Sequence, residues 1–214
     1  KDFNATNILD LSQSAGLVDT DLNHVQADYA VFAGHKTLYG PFGVSGFISD
    51  KAELLRPLIY GGTGIDSANP ELPLQLPERL EAGSINIAAI AGLNAALRWI
   101  KQIGVADIFK VEQEKAEMLV KLLEKYDNIR IVSPKTNRLG VISCSFADYA
   151  SDSIGQVLSD HNIAVRTGLH CAPLAHKFLG TFPAGTVRFS VSYFNNDQDF
   201  ELLKDALDYI EENA

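Results

Sequence analysis

Residues 32–48 read FAGHKTLYGPFGVSGFI. The segment opens after the apolar run Tyr29-Ala30-Val31-Phe32 and closes on Phe47-Ile48. Between the runs stand His35, Lys36, Pro41 and the glycines Gly34, Gly40, Gly43 and Gly46. Short apolar runs separated by glycine-rich turns predict strands of a buried sheet joined by loops. Lysine is ordinarily a solvated surface residue, so its place at the mouth of such a strand has two readings. It is a surface lysine beside a turn, or it is an amine held in a pocket where it can lose its proton and form a Schiff base. The glycines favour the second, because they let backbone wrap closely around something. A Walker-type phosphate loop is excluded by order, since its glycines precede the lysine and a Ser or Thr follows it.

Upstream, Asn7-Ile8-Leu9-Asp10 reads as a strand reached almost at once, and the chain opens on Lys1 without a methionine. The sequence is therefore expected to enter a fold midway, as a fragment does. Asp10 ends the apolar stub, where strand C-termini of open α/β sheets gather ligand-binding groups, and Gln13 follows in LDLSQSAG. Asp10 alone reads equally well as an ordinary loop aspartate. Paired with a Schiff-base lysine after the next strand, it could keep a pyridine nitrogen protonated.

Downstream, residues 59–79 (IYGGTGIDSANPELPLQLPER) predict a long loop, and loops of that length in compact domains are usually functional or mobile. Residues 87–103 predict an alanine-rich helix stopped by Gly104. Beyond Ala106 the texture changes. Ile108, Val111, Leu119, Leu122 and Tyr126 recur at helical spacing, with Glu117 and Lys121 four apart on the other side. Residues 139–146 alternate as a strand, and residues 152–162 suit a helix capped by Ser151 or Asp152. Residues 186–193 alternate again, with Val187, Phe189, Val191 and Tyr193 on one face and Thr186, Arg188, Ser190 and Ser192 on the other. A last helix carries Phe200, Leu203, Leu207 and Ile210. The expected architecture is α/β over residues 1–100, followed by a small α+β domain over residues 101–214.

The 214 residues are 46% hydrophobic and 21% charged, enough for a sizeable core. Eighteen basic against twenty-seven acidic residues leave a net charge of −9, and no basic block offsets it, which argues against a nucleic-acid surface. No apolar run approaches a membrane span, and no signal-peptide pattern opens the sequence. Two cysteines, Cys144 and Cys171, cannot make a disulfide framework, so a reducing cytoplasm is the expected setting.

The third group of chemistry-bearing residues is RTGLHCAPLAH, residues 166–176. It lacks strand or helix periodicity and predicts a loop, on which Cys171 lies close in sequence to Arg166 and His170. Cys144, alternating with Ile142 and Phe146, reads as a small buried hydrophobe. His170, Cys171 and His176 could also be metal ligands, but no fourth protein ligand stands at a familiar spacing, and no metal is expected. Arg188 is either an edge-strand surface arginine or a guanidinium placed to clamp a carboxylate.

Taken in order, D-x-x-Q at Asp10 and Gln13, GHK with GPxG at Gly34–Gly43, EAGS at Glu81–Ser84, RTGLHC at Arg166–Cys171 and VRFSVSYFN at Val187–Asn195 resemble the class V family of pyridoxal-phosphate enzymes. Within it, the chain is most similar to the cysteine desulfurase and selenocysteine lyase branch. The resemblance runs from about Ile8 to the C-terminus and implies the C-terminal part of a fold type I large domain, with a mostly parallel sheet, followed by a small domain. It implies that Lys36 bonds pyridoxal phosphate and shuttles a proton, that Asp10 meets the pyridine nitrogen and Gln13 the phenolic oxygen, and that His35 lies near the phosphate. Ser84 is implied to reach the phosphate of a partner subunit in a homodimer. Cys171 is implied to attack the substrate sulfur, leaving an enzyme persulfide and alanine, with cysteine or selenocysteine as the substrate and a sulfur-acceptor protein as a possible partner. Arg188 is implied to bind the substrate carboxylate, with Arg166 and His170 beside it and Arg166 ordering the cysteine loop. The short interval from Arg166 to the GTVRFS strand resembles the group with a compact cysteine loop. The alternative on the same fold is a class V aminotransferase, epimerase or other β-lyase without a catalytic cysteine. The family often has Ser or Thr before GHK, where Ala33 stands here, and about the first half of a usual family chain is absent. The 214 residues alone are therefore expected to bind pyridoxal phosphate poorly or not at all.

Overall fold

A computed structural model describes residues 5–66 and 68–213. The chain divides into two compact units, residues 1–108 and 109–214. Together they form an α/β fold with two sheets.

In the first unit, β1 (Ile8–Asp10), β2 (Tyr29–Ala33) and β3 (Ser45–Ile48) form one sheet in that order. β1 runs parallel to β2, with Leu9 opposite Ala30, and β3 runs antiparallel to β2, with Phe32 opposite Gly46. The parallel pair leaves the C-terminal ends of β1 and β2 side by side, so Asp10 and the His35–Lys36 turn emerge at one sheet edge. The short helix α1 (Leu22–Val25) lies in the connection between them, capped by Asp21.

The long loop closes with a 3-10 turn at Glu78–Leu80, and α2 (Ile87–Ile103) follows with the expected bounds. Asn86 caps it by accepting from Ala89 N at 3.1 Å, and Gly104 ends it. Leu17, Ala30, Leu38, Ala89, Leu93 and Ile100 are its unit's principal buried apolar side chains.

α3 (Val105–Leu123) carries the chain into the second unit. There, β4 (Ile129–Ile131), β5 (Val141–Phe146), β6 (Arg166–Gly168) and β7 (Thr186–Ser190) form an antiparallel sheet in the order β4-β5-β7-β6. The helices are α4 (Ser151–Asp160), α5 (Pro173–Phe178) and α6 (Asp197–Glu212). The core gathers the predicted stripes: Leu119 and Leu122 from α3, Ile142, Cys144 and Phe146 from β5, Val187 and Phe189 from β7, and Leu203, Leu207 and Ile210 from α6.

Three expectations change. The cap of α4 is Ala150, without a side-chain bond. Ser151 Oγ donates instead to Ala184 O, and Asp152 accepts from Thr167 Oγ1 at 2.6 Å. Residues 166–176 are not one loop, because β6 opens them and α5 begins within them; a three-residue strand and a six-residue helix are too short to show a period. Finally, β7 is an interior strand and Thr186 on its polar face is 1% exposed, so both faces are covered at that end.

Candidate functional site

In the first unit, the turn after β2 folds tightly on itself. A Cβ at Gly34 would lie 2.6 Å from Val44 O, and one at Gly40 would lie 2.8 Å from both Gly34 O and Leu93 Cδ1. These glycines therefore admit the turn's own backbone and α2. Within the turn, Leu38 fills the interior while Lys36 is exposed. The turn by itself does not enclose the lysine amine. His35 stacks on Phe42 with ring centroids 4.8 Å apart. Gln13 and Ser84 are exposed.

Asp10, also exposed, accepts from Ser12 N at 2.8 Å. Hydrogen bonds from Ser12 first, and the Lys36 charge after them, hold its carboxyl below the usual range. An ionised carboxylate in the field of a primary amine, both at one sheet edge, suits the two ends of a protonated pyridine aldehyde. Thr37 Oγ1 is buried without a partner among the described residues. It is a hydroxyl that no motif in the sequence singles out. These residues fit pyridoxal phosphate as part of its cradle.

In the second unit, Arg166, His170, Cys171 and Arg188 come together. Antiparallel pairing of β6 with β7 puts Arg166 opposite Arg188. Arg166 Nη2 donates to Cys171 Sγ at 3.4 Å. Arg188 is half-buried, and its Nε is buried without a partner among the described residues. Burial and then the Arg166 charge pull its basicity down, against the pull of Cys171. It stays a cation all the same, given the guanidinium's high starting point.

Residues 169–172 form a β-turn closed by Ala172 N to Leu169 O at 2.8 Å. Its central residues, His170 and Cys171, have φ of 49° and 61°, the type I′ arrangement that Asn and Gly usually fill. Left-handed backbone in residues of this kind costs about 1–3 kcal/mol each. Cys171 is exposed at the tip. His170 Nε2 lies 2.9 Å from Thr186 Oγ1, and its Nδ1 is buried without a partner among the described residues. Burial, followed by the charges of Arg188, His176 and Arg166, lowers the basicity of the imidazole, with hydrogen bonding to Thr186 opposing them. Behind it, His176 Nδ1 lies 2.7 Å from Thr181 Oγ1. Among the described residues no three His, Cys, Asp or Glu side chains gather as a metal-binding group.

The two cysteines differ in reactivity. Cys144 is fully buried, and burial pushes its thiol up to about 12. Its Sγ lies 3.7 Å from Val187 O. Only Cys171 is open to a substrate.

Residues 1–203 match the model of the family described as aminotransferase class-V. A probable cysteine desulfurase of Methanothermobacter thermautotrophicus is 33% identical over 98% of this chain and 54% of its own length. The apo structure of a cysteine desulfurase from Thermococcus onnurineus NA1 superposes with a TM-score of 0.89 at 29% identity, covering 100% of this chain and 54% of that one. The S-sulfonic acid form of the cysteine desulfurase CsdA from Escherichia coli gives 0.85 at 26% identity, covering 97% and 52%. The chain thus spans about half the length of the relatives it matches. With the match running over nearly all of its length, the chain belongs to the class-V aminotransferase family, whose cofactor is pyridoxal phosphate.

Proposed function

We propose that this chain is part of a pyridoxal-phosphate-dependent cysteine desulfurase, which removes sulfur from L-cysteine to give alanine and a persulfide on Cys171. The observation that carries the reading is Cys171 itself: an exposed thiol on a strained turn, with a guanidinium donating to its sulfur, in a chain whose other cysteine is buried. The names of the relatives support it. Residues 1–100 would contribute the C-terminal part of the cofactor domain and residues 101–214 the small domain.

Bound pyridoxal phosphate supplies an electron sink at the substrate Cα. Lys36 would hold the cofactor and would move the proton at the substrate Cα. Asp10 would hold the pyridine nitrogen, Gln13 the phenolic oxygen and His35 the phosphate side of the cofactor. Ser84 serves the phosphate site of a second copy, which makes the working form a homodimer. Arg188 binds the substrate carboxylate, and Arg166 and His170 stand beside it. The Cys171 thiolate attacks the substrate sulfur, an S–S bond forms, and the Cβ–S electron pair returns to the substrate carbon, which is protonated to alanine. The persulfide then passes to a sulfur-acceptor protein. Among the described residues no helix is long and apolar enough to cross a membrane, and a cytoplasmic setting fits the free thiols.

The test is alanine release from cysteine by the full-length protein, of which this chain is a part, loaded with cofactor. Cys171→Ser abolishes release and leaves the visible absorption of the bound cofactor unchanged, whereas Cys144→Ser leaves both unchanged. Full turnover by Cys171→Ser, or dependence on an added amino acceptor, would replace this reading with a class V aminotransferase, epimerase or β-lyase that does not use the cysteine.

A further inference from the structure

We infer that His170 is a positioning residue that holds the turn presenting Cys171, through its hydrogen bond to Thr186, and is not a substrate contact. The inference rests on the proposed role of Cys171, but its geometry stands apart from the cofactor.

The turn at Leu169–Ala172 needs two consecutive left-handed residues and contains neither Asn nor Gly at those positions. Local preference therefore works against it, and neighbouring contacts must impose it. The backbone of the preceding Gly168 packs so closely on Gly185 that a Cβ at Gly185 would overlap the Gly168 carbonyl, which fixes where the turn begins. Arg166 reaches Sγ from the strand below. His170 supplies the contact from inside the turn: Nε2 lies 2.9 Å from Thr186 Oγ1, on a residue 1% exposed in an interior strand. With Nε2 engaged there and Nδ1 buried, the ring has no nitrogen turned to solvent to meet an incoming amino acid. The neighbouring His176 is itself buried and lies 2.7 Å from Thr181 Oγ1, so the ring behind His170 is also held in place. The arrangement is a latch: a rigid strand holds the first central residue of the turn, and the second central residue, Cys171, is thereby held outward.

The experiment compares His170→Ala, Thr186→Val and Thr186→Ser with the parent by hydrogen exchange at the Ala172 amide, whose bond to Leu169 O closes the turn. Iodoacetamide labelling of Cys171 runs in parallel, with buried Cys144 as internal control. Both readouts need no cofactor. Exchange is expected to accelerate by at least about tenfold in His170→Ala and Thr186→Val, and Thr186→Ser, which keeps the hydroxyl, is expected to behave as the parent. The labelling rate of Cys171 is expected to change in the first two variants only. In the cofactor-loaded protein the same two variants lower kcat for alanine release and leave KM for cysteine unchanged. Unaltered exchange in both, or a raised KM in His170→Ala that Thr186→Val does not reproduce, overturns the latch. A parent protein that forms no alanine would refute the proposed reaction instead, while the exchange comparison still decides the role of His170.

Discussion

Arg166 and Arg188 stand opposite one another in the β6–β7 register, and neither is paired with a carboxylate among the described residues. Like charges directly across a sheet destabilise it, and here the repulsion also depresses the basicity of Arg188. A half-buried guanidinium with an orphaned Nε and a cation for a neighbour is set up to receive an anion.

This arrangement separates stability from binding. Arg188→Gln removes the repulsion, so its melting temperature is expected to equal or exceed that of the parent. Millimolar sulfate, which can stand in for a substrate carboxylate, is expected to raise the melting temperature of the parent and to lose that effect in the variant. In the cofactor-loaded protein, KM for cysteine should rise at least about tenfold, the equivalent of one charge-assisted hydrogen bond. A variant that melts lower and still responds to sulfate would show Arg188 to be structural.

Gly185 offers a test of the scaffold beneath the cysteine turn. Its φ is +74°, and a Cβ there would overlap the Gly168 carbonyl. Gly185→Ala combines left-handed strain with a backbone clash, so it should cost more than about 1 kcal/mol in urea unfolding. Because Gly168 leads directly into the turn, labelling of Cys171 should also change in any variant population that remains folded.

What the sequence revealed and what it concealed divide along a physical line. α2 was legible because its signals are local, an alanine-rich stretch and a terminating Gly104. The core faces of β5, β7 and α6 were legible because alternation and three-to-four spacing repeat often enough to be seen. β4 and β6, at three residues each, have no room for a period. The type I′ turn at His170–Cys171 was illegible for another reason. The usual marker of that turn is its own glycine or asparagine, whereas here Thr186, sixteen residues away, is bonded to His170. Lys36 shows the same limit: the glycines around it suggested an enclosing pocket, but it is Leu38 of this turn that is buried and Lys36 that is exposed. Asp152 reads as a helix cap in sequence, yet its carboxylate turns to Thr167 across the packed α4–β6 pair.

Glu112 carries a pH signature. It is 6% exposed and accepts from Gly140 N at 3.1 Å. Burial pushes its carboxyl above the ordinary 4.5, with the Gly140 bond and Lys115 working against that. The folded state therefore binds the proton more tightly than the unfolded state does, and stability falls as pH rises from 4.5 through the raised folded value. Glu112→Gln retains an oxygen for Gly140 N and never ionises. It is expected to melt higher than the parent at pH 7, with the gap closing below pH 4.5. A gap that stays constant with pH would trace the difference to packing alone.

The capping box of α6 supplies the last test. Asn196 Oδ1 accepts from Gln198 N at 2.9 Å, and Asp199 Oδ2 accepts from Asn196 N and Asn195 Nδ2, both at 3.0 Å. Asn195 Oδ1 in turn accepts from Ser192 N at 2.8 Å, so the cap joins α6 to the segment leaving β7, the strand that carries Thr186 and Arg188. Asn196→Ala should cost about 1 kcal/mol. Asp199→Asn keeps an oxygen acceptor but loses the charge at a helix N-terminus. The Asn196 backbone bond, and after it the Asn195 side chain, hold the Asp199 carboxyl below its ordinary 3.8. Its contribution is therefore full above 3.8 and is lost as pH falls through the folded value. The Asp199→Asn deficit in urea midpoint should accordingly be present at pH 7 and shrink toward pH 3, whereas the Asn196→Ala deficit should persist in part, because the Asn196 side chain does not titrate. Equal deficits at both pH values for Asp199→Asn would mean that the carboxylate acts as a neutral acceptor only.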